Sequence, residues 1–251
     1  MNPKYKFTGK HQYQQLTSVT HPDGPRVYET PTGPATSVTT ILSLLPAPAL
    51  DAWIARVGIE EAERIRDEAA VIGTCMHNRL EAYVRGVPYV PVESEHERIA
   101  EILFMTVRSS VLLPLTEVWG VEEALYLHAL YAGRTDVMGI YAGKRSIIDY
   151  KTGLRQKSED VLEKYKLQIA AYAVAHDWMF EQMPGYEPIE QGVILVGIRP
   201  NQYKGARVQK VIVPEDELNL YRSKWLDVVE QYHAGVLGQP GLNTLLGETD
   251  R

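Results

Sequence analysis

The sequence predicts an α/β domain: a mixed central sheet flanked by helices, with a helical elaboration ahead of it. Three observations carry this reading. Helical periodicity runs from about Leu50 to Leu112, β-type segments crowd between Glu122 and Lys151, and an unbroken apolar run, Gly192 to Ile198, has the composition of a buried central strand.

The first forty residues are rich in Pro, Gly and Thr and read as turns with a short hairpin. Residues 1–36 are therefore expected to be an extension, and 37–251 one domain, with a helical wall over 37–114 and an α/β core over 115–251. Ser37 opens the ordered part as a helix cap. From Leu50 to Val84, Trp53, Val57, Ile65, Ala69, Ile72, Met76, Leu80 and Tyr83 recur at mostly helical spacing, until Gly86 and Pro88 end the pattern. A second helix spans Glu95 to Leu112 and ends at Pro114. Strands follow over 122–129, 131–141 and 146–151, with Ala142, Gly143 and Lys144 as the turn between the last two. A long helix over 158–183, strands over 192–198 and 207–213, and a closing helix over 214–235 complete the order.

Composition narrows the function classes. With 45% hydrophobic and 23% charged residues the chain can bury a core and is not disordered. Cys75 is the only cysteine, which excludes an intrachain disulfide and a four-thiolate iron–sulfur cluster. No secretory signal opens the chain and no apolar run is long enough to span a membrane, so an intracellular, cytoplasmic location is expected. There is no phosphate-binding P-loop and no dinucleotide fingerprint, so no ATP is expected. The net charge of −6 weighs against a general nucleic-acid coat, but the stretch from Lys144 to Lys166 is locally basic.

The chemistry concentrates in 147–153, IIDYKTG. On a strand Asp149 and Lys151 share a face, while Ile148 and Tyr150 take the other. A structural salt bridge at a strand end has the same appearance. Asp136, in the preceding strand of the proposed hairpin, adds a second carboxylate that can sit beside Asp149. Neighbouring carboxylates repel unless a proton or a cation intervenes, and a hard divalent ion meets that need. His77 and Glu81 share one helical face, as do Gln168 and Tyr172. Gly73 weakens its helix by about 1 kcal/mol relative to Ala, which suggests a close backbone approach there.

Taken in order, GTCMHNRLE (73–81), YAGRTD (131–136), SIIDYKTG (146–153) and LQIAAYA (167–173) resemble the RecB-like exonuclease branch of the PD-(D/E)XK nucleases. The resemblance is to phage exonucleases and to the mitochondrial genome maintenance exonuclease. It covers most of the chain from Val38 onward and implies a restriction-endonuclease-like core. It also implies a Mg²⁺- or Mn²⁺-dependent deoxyribonuclease that leaves 5′-phosphate ends and acts in DNA replication, recombination or repair.

Carried over residue by residue, it assigns Asp136, Asp149, Lys151, Gln168 and Tyr172 to catalysis. His77, Asp136, Asp149 and the Tyr150 carbonyl become ligands of one or two ions, with Glu81 and Glu122 as accessory acids. Arg134, Arg155, Lys157 and Lys166 are expected to contact DNA, either single-stranded or at ends. A recombination or replication protein is an expected partner. Thr135 replaces the proline that precedes the first aspartate in the family's name, and the cysteine frame of the iron–sulfur members is missing. A structure-specific endonuclease with the same site, a non-catalytic recombination partner and an interaction module are the competing readings.

Overall fold

The computed structural model describes residues 5–20, 24–89, 91–111 and 114–237. Its centre is a six-stranded sheet made of β1 (Lys6–Phe7), β5 (Leu115–Leu127), β6 (Tyr131–Tyr141), β7 (Lys144–Gly153), β8 (Gln191–Ile198) and β9 (Arg207–Val213), adjacent in that order. A smaller antiparallel sheet holds β2 (Ser18–Thr20), β3 (Arg26–Thr30) and β4 (Gly33–Thr36). The helices are α1 (Val38–Ser43), α2 (Pro48–Val57), α3 (Ile59–Arg85), α4 (Glu95–Val111), α5 (Glu159–Phe180) and α6 (Glu215–His233). None of the described helices is long and apolar enough to cross a membrane.

Strands β5, β6 and β7 form an antiparallel meander, and β8 then runs parallel to β7. A parallel neighbour needs a crossover, which α5 provides. Strand side chains alternate between two cores. Met138, Ile147, Ile194 and Val196 face α5 and α6, while Val137, Ile148, Tyr150, Val193 and Leu195 face α3 and α4. Strand β8 is buried along its whole length, as its uninterrupted apolar sequence requires.

The expected α/β architecture is present, with three differences in detail. The helix read over 50–84 is two helices, because Gly58 turns the chain at φ 90° between α2 and α3. Strand β5 begins at Leu115 rather than Glu122, which puts Glu122 inside it. The helices of 37–114 also divide between the faces: α1 packs against α5 and α6, while α3 and α4 cover the opposite side. Ser37 caps α1 as expected, its Oγ accepting from Thr40 N at 3.0 Å. Gly139 is required by packing, since a Cβ there would lie 2.0 Å from the Glu117 carbonyl oxygen beside an irregularity in β5.

The residues ahead of β2 are tied to the main sheet and to α5. β1 adds an edge parallel to β5, and an aromatic cluster clasps the following residues to α5. His11 is buried there, with its ring centroid 4.6 Å from Phe180, 4.8 Å from His176 and 5.1 Å from Trp119. Tyr13 and Tyr186 hydroxyls meet the two ring nitrogens of His176 at 3.1 and 3.0 Å. Burial, reinforced by His176 and Lys10, pushes the His11 imidazole down to about 4. Burial also lowers His176, against the pull of Asp177.

Both folded-state values lie below the unfolded value of about 6.5, so the stabilisation is complete above that pH and is lost as pH falls through it. The thermal unfolding midpoint should therefore drop between about pH 6.5 and pH 4. In His11→Phe that drop should shrink, as read by calorimetry across the range; an identical slope in the variant would show that His11 does not contribute.

Candidate active site

Strands β6 and β7 pair from Tyr141 and Lys144 as far as Val137 and Ile148, and there the ladder ends. The next residues facing each other across the gap are Asp136 and Asp149. Where a ladder bond would have continued, the Asp136 side chain supplies the acceptor: its Oδ2 takes the Tyr150 backbone N–H at 2.5 Å. Asp149 and Lys151 project on the α5 side, as their spacing required, and form an ion pair at 2.5 Å. The Lys151 ammonium also lies 5.3 Å from the Tyr165 ring centre. Beneath it, Gln168 Nε2 donates to the Tyr172 hydroxyl at 3.0 Å, both residues being buried.

From the other side α3 brings His77, whose Nδ1 lies 3.1 Å from Asp136 Oδ1. Glu122 completes the group. Its neighbours pair Val121 with Val137 and Glu123 with Thr135, which sets Glu122 across from Asp136. Glu122 adopts φ 52°, a conformation that non-glycine residues seldom take and that marks strain at functional positions. One ligand atom each from His77, Glu122 and Asp136 lie within 4.8 Å of one another. Carboxylate oxygens with a single imidazole suit a hard divalent cation.

The charges are mutually dependent. Burial opposes ionisation of Asp136, but the His77 charge and hydrogen bond outweigh it and hold the carboxyl below its usual range. Asp149 is pushed up by burial and by Asp136, against the pull of Lys151. Burial and then the Asp136 charge raise Glu122 to about 7. Burial disfavours the charged forms of His77 and Lys151, yet the surrounding carboxylates raise both. Such a cluster gains from any further positive charge, which is what a divalent ion brings. The cluster of His77, Glu122 and Asp136 fits such an ion.

The remaining expected residues fall in four places. Arg134 is exposed and lines the same opening as Asp136. Glu81 lines the wider cleft outside but is paired with Arg85 at 2.8 Å, one turn along its helix. Arg155 and Lys157 line a separate cleft beyond the end of β7. The Lys166 ammonium is paired with Glu217 at 2.9 Å and lies 5.5 Å from the Tyr221 ring centre, on the α6 side.

The N-terminal sheet supplies residues that sequence reasoning did not single out. Arg26 and Tyr28 of β3 line the opening over Asp136, Asp149 and Lys151, a cavity of about 150 Å³. Asn78, beside His77, lines the wider cleft. No motif marks Arg26 or Tyr28, because they come from a turn-rich stretch far away in sequence. Glu122 could have been placed with more weight by counting back from the turn at His128, since hairpin register puts it opposite Asp136.

A family model of the PD-(D/E)XK nuclease superfamily matches residues 116–240, the part of the chain that carries Glu122, Asp136, Asp149 and Lys151. Over these residues the chain belongs to the PD-(D/E)XK nuclease superfamily. Among solved structures, this nuclease is similar to "Putative exonuclease" from Eubacterium rectale. That likeness has a TM-score of 0.45 and 12% identity, over 73% of this chain and 69% of that one. A phage-related exonuclease from Haemophilus somnus 129PT is similar with a TM-score of 0.35 and 13% identity, over 65% of this chain and 81% of that one. No curated protein sequence matches the chain.

Two glycines of the nuclease differ in what they do. A Cβ on Gly73 would meet Thr152 Oγ1 at 3.6 Å, an ordinary contact, so strand packing does not require that glycine. A Cβ on Gly133 would lie 2.7 Å from Tyr172 Cε1 and 3.3 Å from its hydroxyl. Gly133→Ala should displace the Tyr172 ring, break its bond with Gln168 and cost about 1–3 kcal/mol in urea unfolding. Gly73→Ala should leave stability unchanged or raise it.

Proposed function

We propose that this nuclease is a metal-dependent DNA exonuclease that hydrolyses phosphodiester bonds on single-stranded DNA or at DNA ends. The observation that carries the reading is the meeting of Asp136, Asp149 and Lys151 where β6 and β7 part, with His77 and Glu122 closing round Asp136. Arg26 and Tyr28 stand across from Gln168 and Tyr172 of α5, and the cavity of about 150 Å³ between them leads into the wider cleft lined by Asn78 and Glu122.

In this reading Mg²⁺ or Mn²⁺, as one or two ions, is held by Asp136, His77 and Asp149, with Glu122 beside them. The Tyr150 carbonyl belongs to the set because a residue's N–H and C=O point to the same strand edge, and its N–H faces Asp136. When bound, the ion supplies Lewis acidity toward a phosphate oxygen and makes water a better nucleophile at neutral pH.

The protein's own groups do the rest. Lys151, kept charged by Asp149, offsets negative charge building on the phosphate. Asp149 fixes that ammonium in place. Gln168 and Tyr172 form the floor on which a nucleotide is oriented. Arg134 and Arg26 stand at the mouth, where strand phosphates pass. Burial strengthens the interactions of Asp149, Gln168 and Tyr172 relative to bulk water.

Asp149→Asn should keep the fold, with unfolding in urea close to wild type, and lower metal-dependent cleavage by about 10²–10³-fold or more. An unchanged cleavage rate would remove Asp149 from catalysis. End-labelled linear and circular single strands, digested with Mg²⁺ and with EDTA, test the mode of action. Linear strands should be degraded only with the ion and circles should survive; cut circles would establish the endonuclease reading instead.

A further inference from the structure

Beyond the end of β7, away from the carboxylates, a cleft of about 700 Å³ opens between α2, α3 and the loop leading into α5. Five cationic residues line it: Arg56, Arg66, Arg155, Lys157 and Arg199. Among the described residues, no Asp or Glu lines it. In a chain with 32 acidic and 26 basic residues, such a segregated surface is a strongly charged patch against the trend of the whole.

Two of the five are already neutralised: Arg199 by Glu68 at 2.7 Å, and Arg66 by Asp67 at 3.2 Å. No carboxylate among the described residues comes within ion-pairing distance of Arg56, Arg155 or Lys157. Lys157 is also crowded: burial, then Arg155, Arg199 and Lys151, lower its ammonium. An anion in the cleft would relieve that crowding.

The loop that carries Arg155 and Lys157 is held in shape. Gln209 of β9 accepts the Lys157 N–H at 2.7 Å and donates to its carbonyl at 3.1 Å, and Arg199 N bonds the Gly153 carbonyl at 2.9 Å. Gly153 leaves room for Lys157 to fold back over the strand end, since a Cβ there would lie 3.1 Å from the Lys157 Nζ. Facing the cations are Trp53, half-buried, and two exposed leucines, Leu50 and Leu154. An aromatic ring with apolar neighbours next to fixed cations is a combination that accepts a base together with its phosphate. The cleft continues from the catalytic strand: Arg155 follows Lys151 by four residues, on the order of 13 Å if extended.

We infer that this cleft is a second nucleotide-binding site, in which Arg155 and Lys157 hold a phosphate and Trp53 stacks on the attached base. The inference rests on the nuclease reading only for the identity of the strand that would reach it. The shared chemistry is a nucleotide, supplied either by the continuing DNA strand or as a free mononucleotide.

The test uses the full chain as Asp149→Asn in EDTA, so that neither cleavage nor a metal intervenes, with tryptophan fluorescence read during titration. The probes are oligo(dT) and dTMP. Quenching should appear and should be lost in Trp53→Phe. In Arg155→Ala/Lys157→Ala the affinity should fall about tenfold or more, and the logarithmic salt dependence for oligo(dT) should flatten by about 0.7, the share of the one phosphate contact removed. Binding of oligo(dT) alone assigns the site to the strand, and equal binding of dTMP assigns it to free nucleotide. Quenching that survives Trp53→Phe, or wild-type affinity and salt slope in the double variant, overturns the inference. Cleavage of DNA by the wild-type chain is read separately, so failure of this cleft and failure of the nuclease reading give different results.

Discussion

The site depends on one hydrogen bond, from the Tyr150 backbone N–H to the Asp136 carboxylate. A sheet that parts inside its own core leaves backbone groups unsatisfied, and leaving a buried donor without a partner costs about 1–3 kcal/mol. Asp136 removes that cost by standing in for the missing ladder acceptor. The same bond fixes its rotamer, so that the second oxygen meets His77 and stays available to a cation. Structural need and chemical use therefore coincide in one side chain. The opening between β6 and β7 exists without exposing unpaired backbone.

Around this point the fold gathers polar side chains from four directions. β5 gives Glu122, β7 gives Asp149 and Lys151, α3 gives His77, and α5 gives Gln168 and Tyr172 beneath. No single element could hold three acids so close, because their repulsion would drive them apart or protonate them. Here each is anchored by its own backbone in a well-packed element. The cost shows in Glu122, which takes a positive φ and stays protonated to higher pH than a free glutamate. Strain and a raised pKa at one residue are the expected signature of a place where function has overridden local stability.

The N-terminal residues have a larger part in this arrangement than their composition suggests. A turn-rich stretch with no long periodicity becomes a three-stranded sheet that roofs the cavity and a parallel edge strand on the main sheet. It is anchored by Tyr28 and Ala35 packing on Tyr126 and Ala132, and by the His11 cluster on α5. One side of the opening over Asp136 and Asp149 therefore comes from this docking, through Arg26 and Tyr28. The basic cleft past β7 is likewise assembled from segments about a hundred residues apart, Trp53 and Arg56 on α2 against the loop after Gly153.

By itself the sequence determined the parts governed by local rules. Period-two alternation put Asp149 and Lys151 on one face, apolar continuity marked β8 as central, and Ser37 and Gly86 marked helix ends. The motif order joined His77 to the same family signature as Asp136. Only the tertiary structure decided what depends on which segments meet. It brought Glu122 opposite Asp136, set Arg26 and Tyr28 over the cavity, paired Lys166 with Glu217 and broke the long helix at Gly58. The reason is physical: side-chain direction along a strand or helix is fixed by backbone geometry over a few residues, whereas the partner across a gap is set by register and docking, which sum many weak contacts distributed along the whole chain.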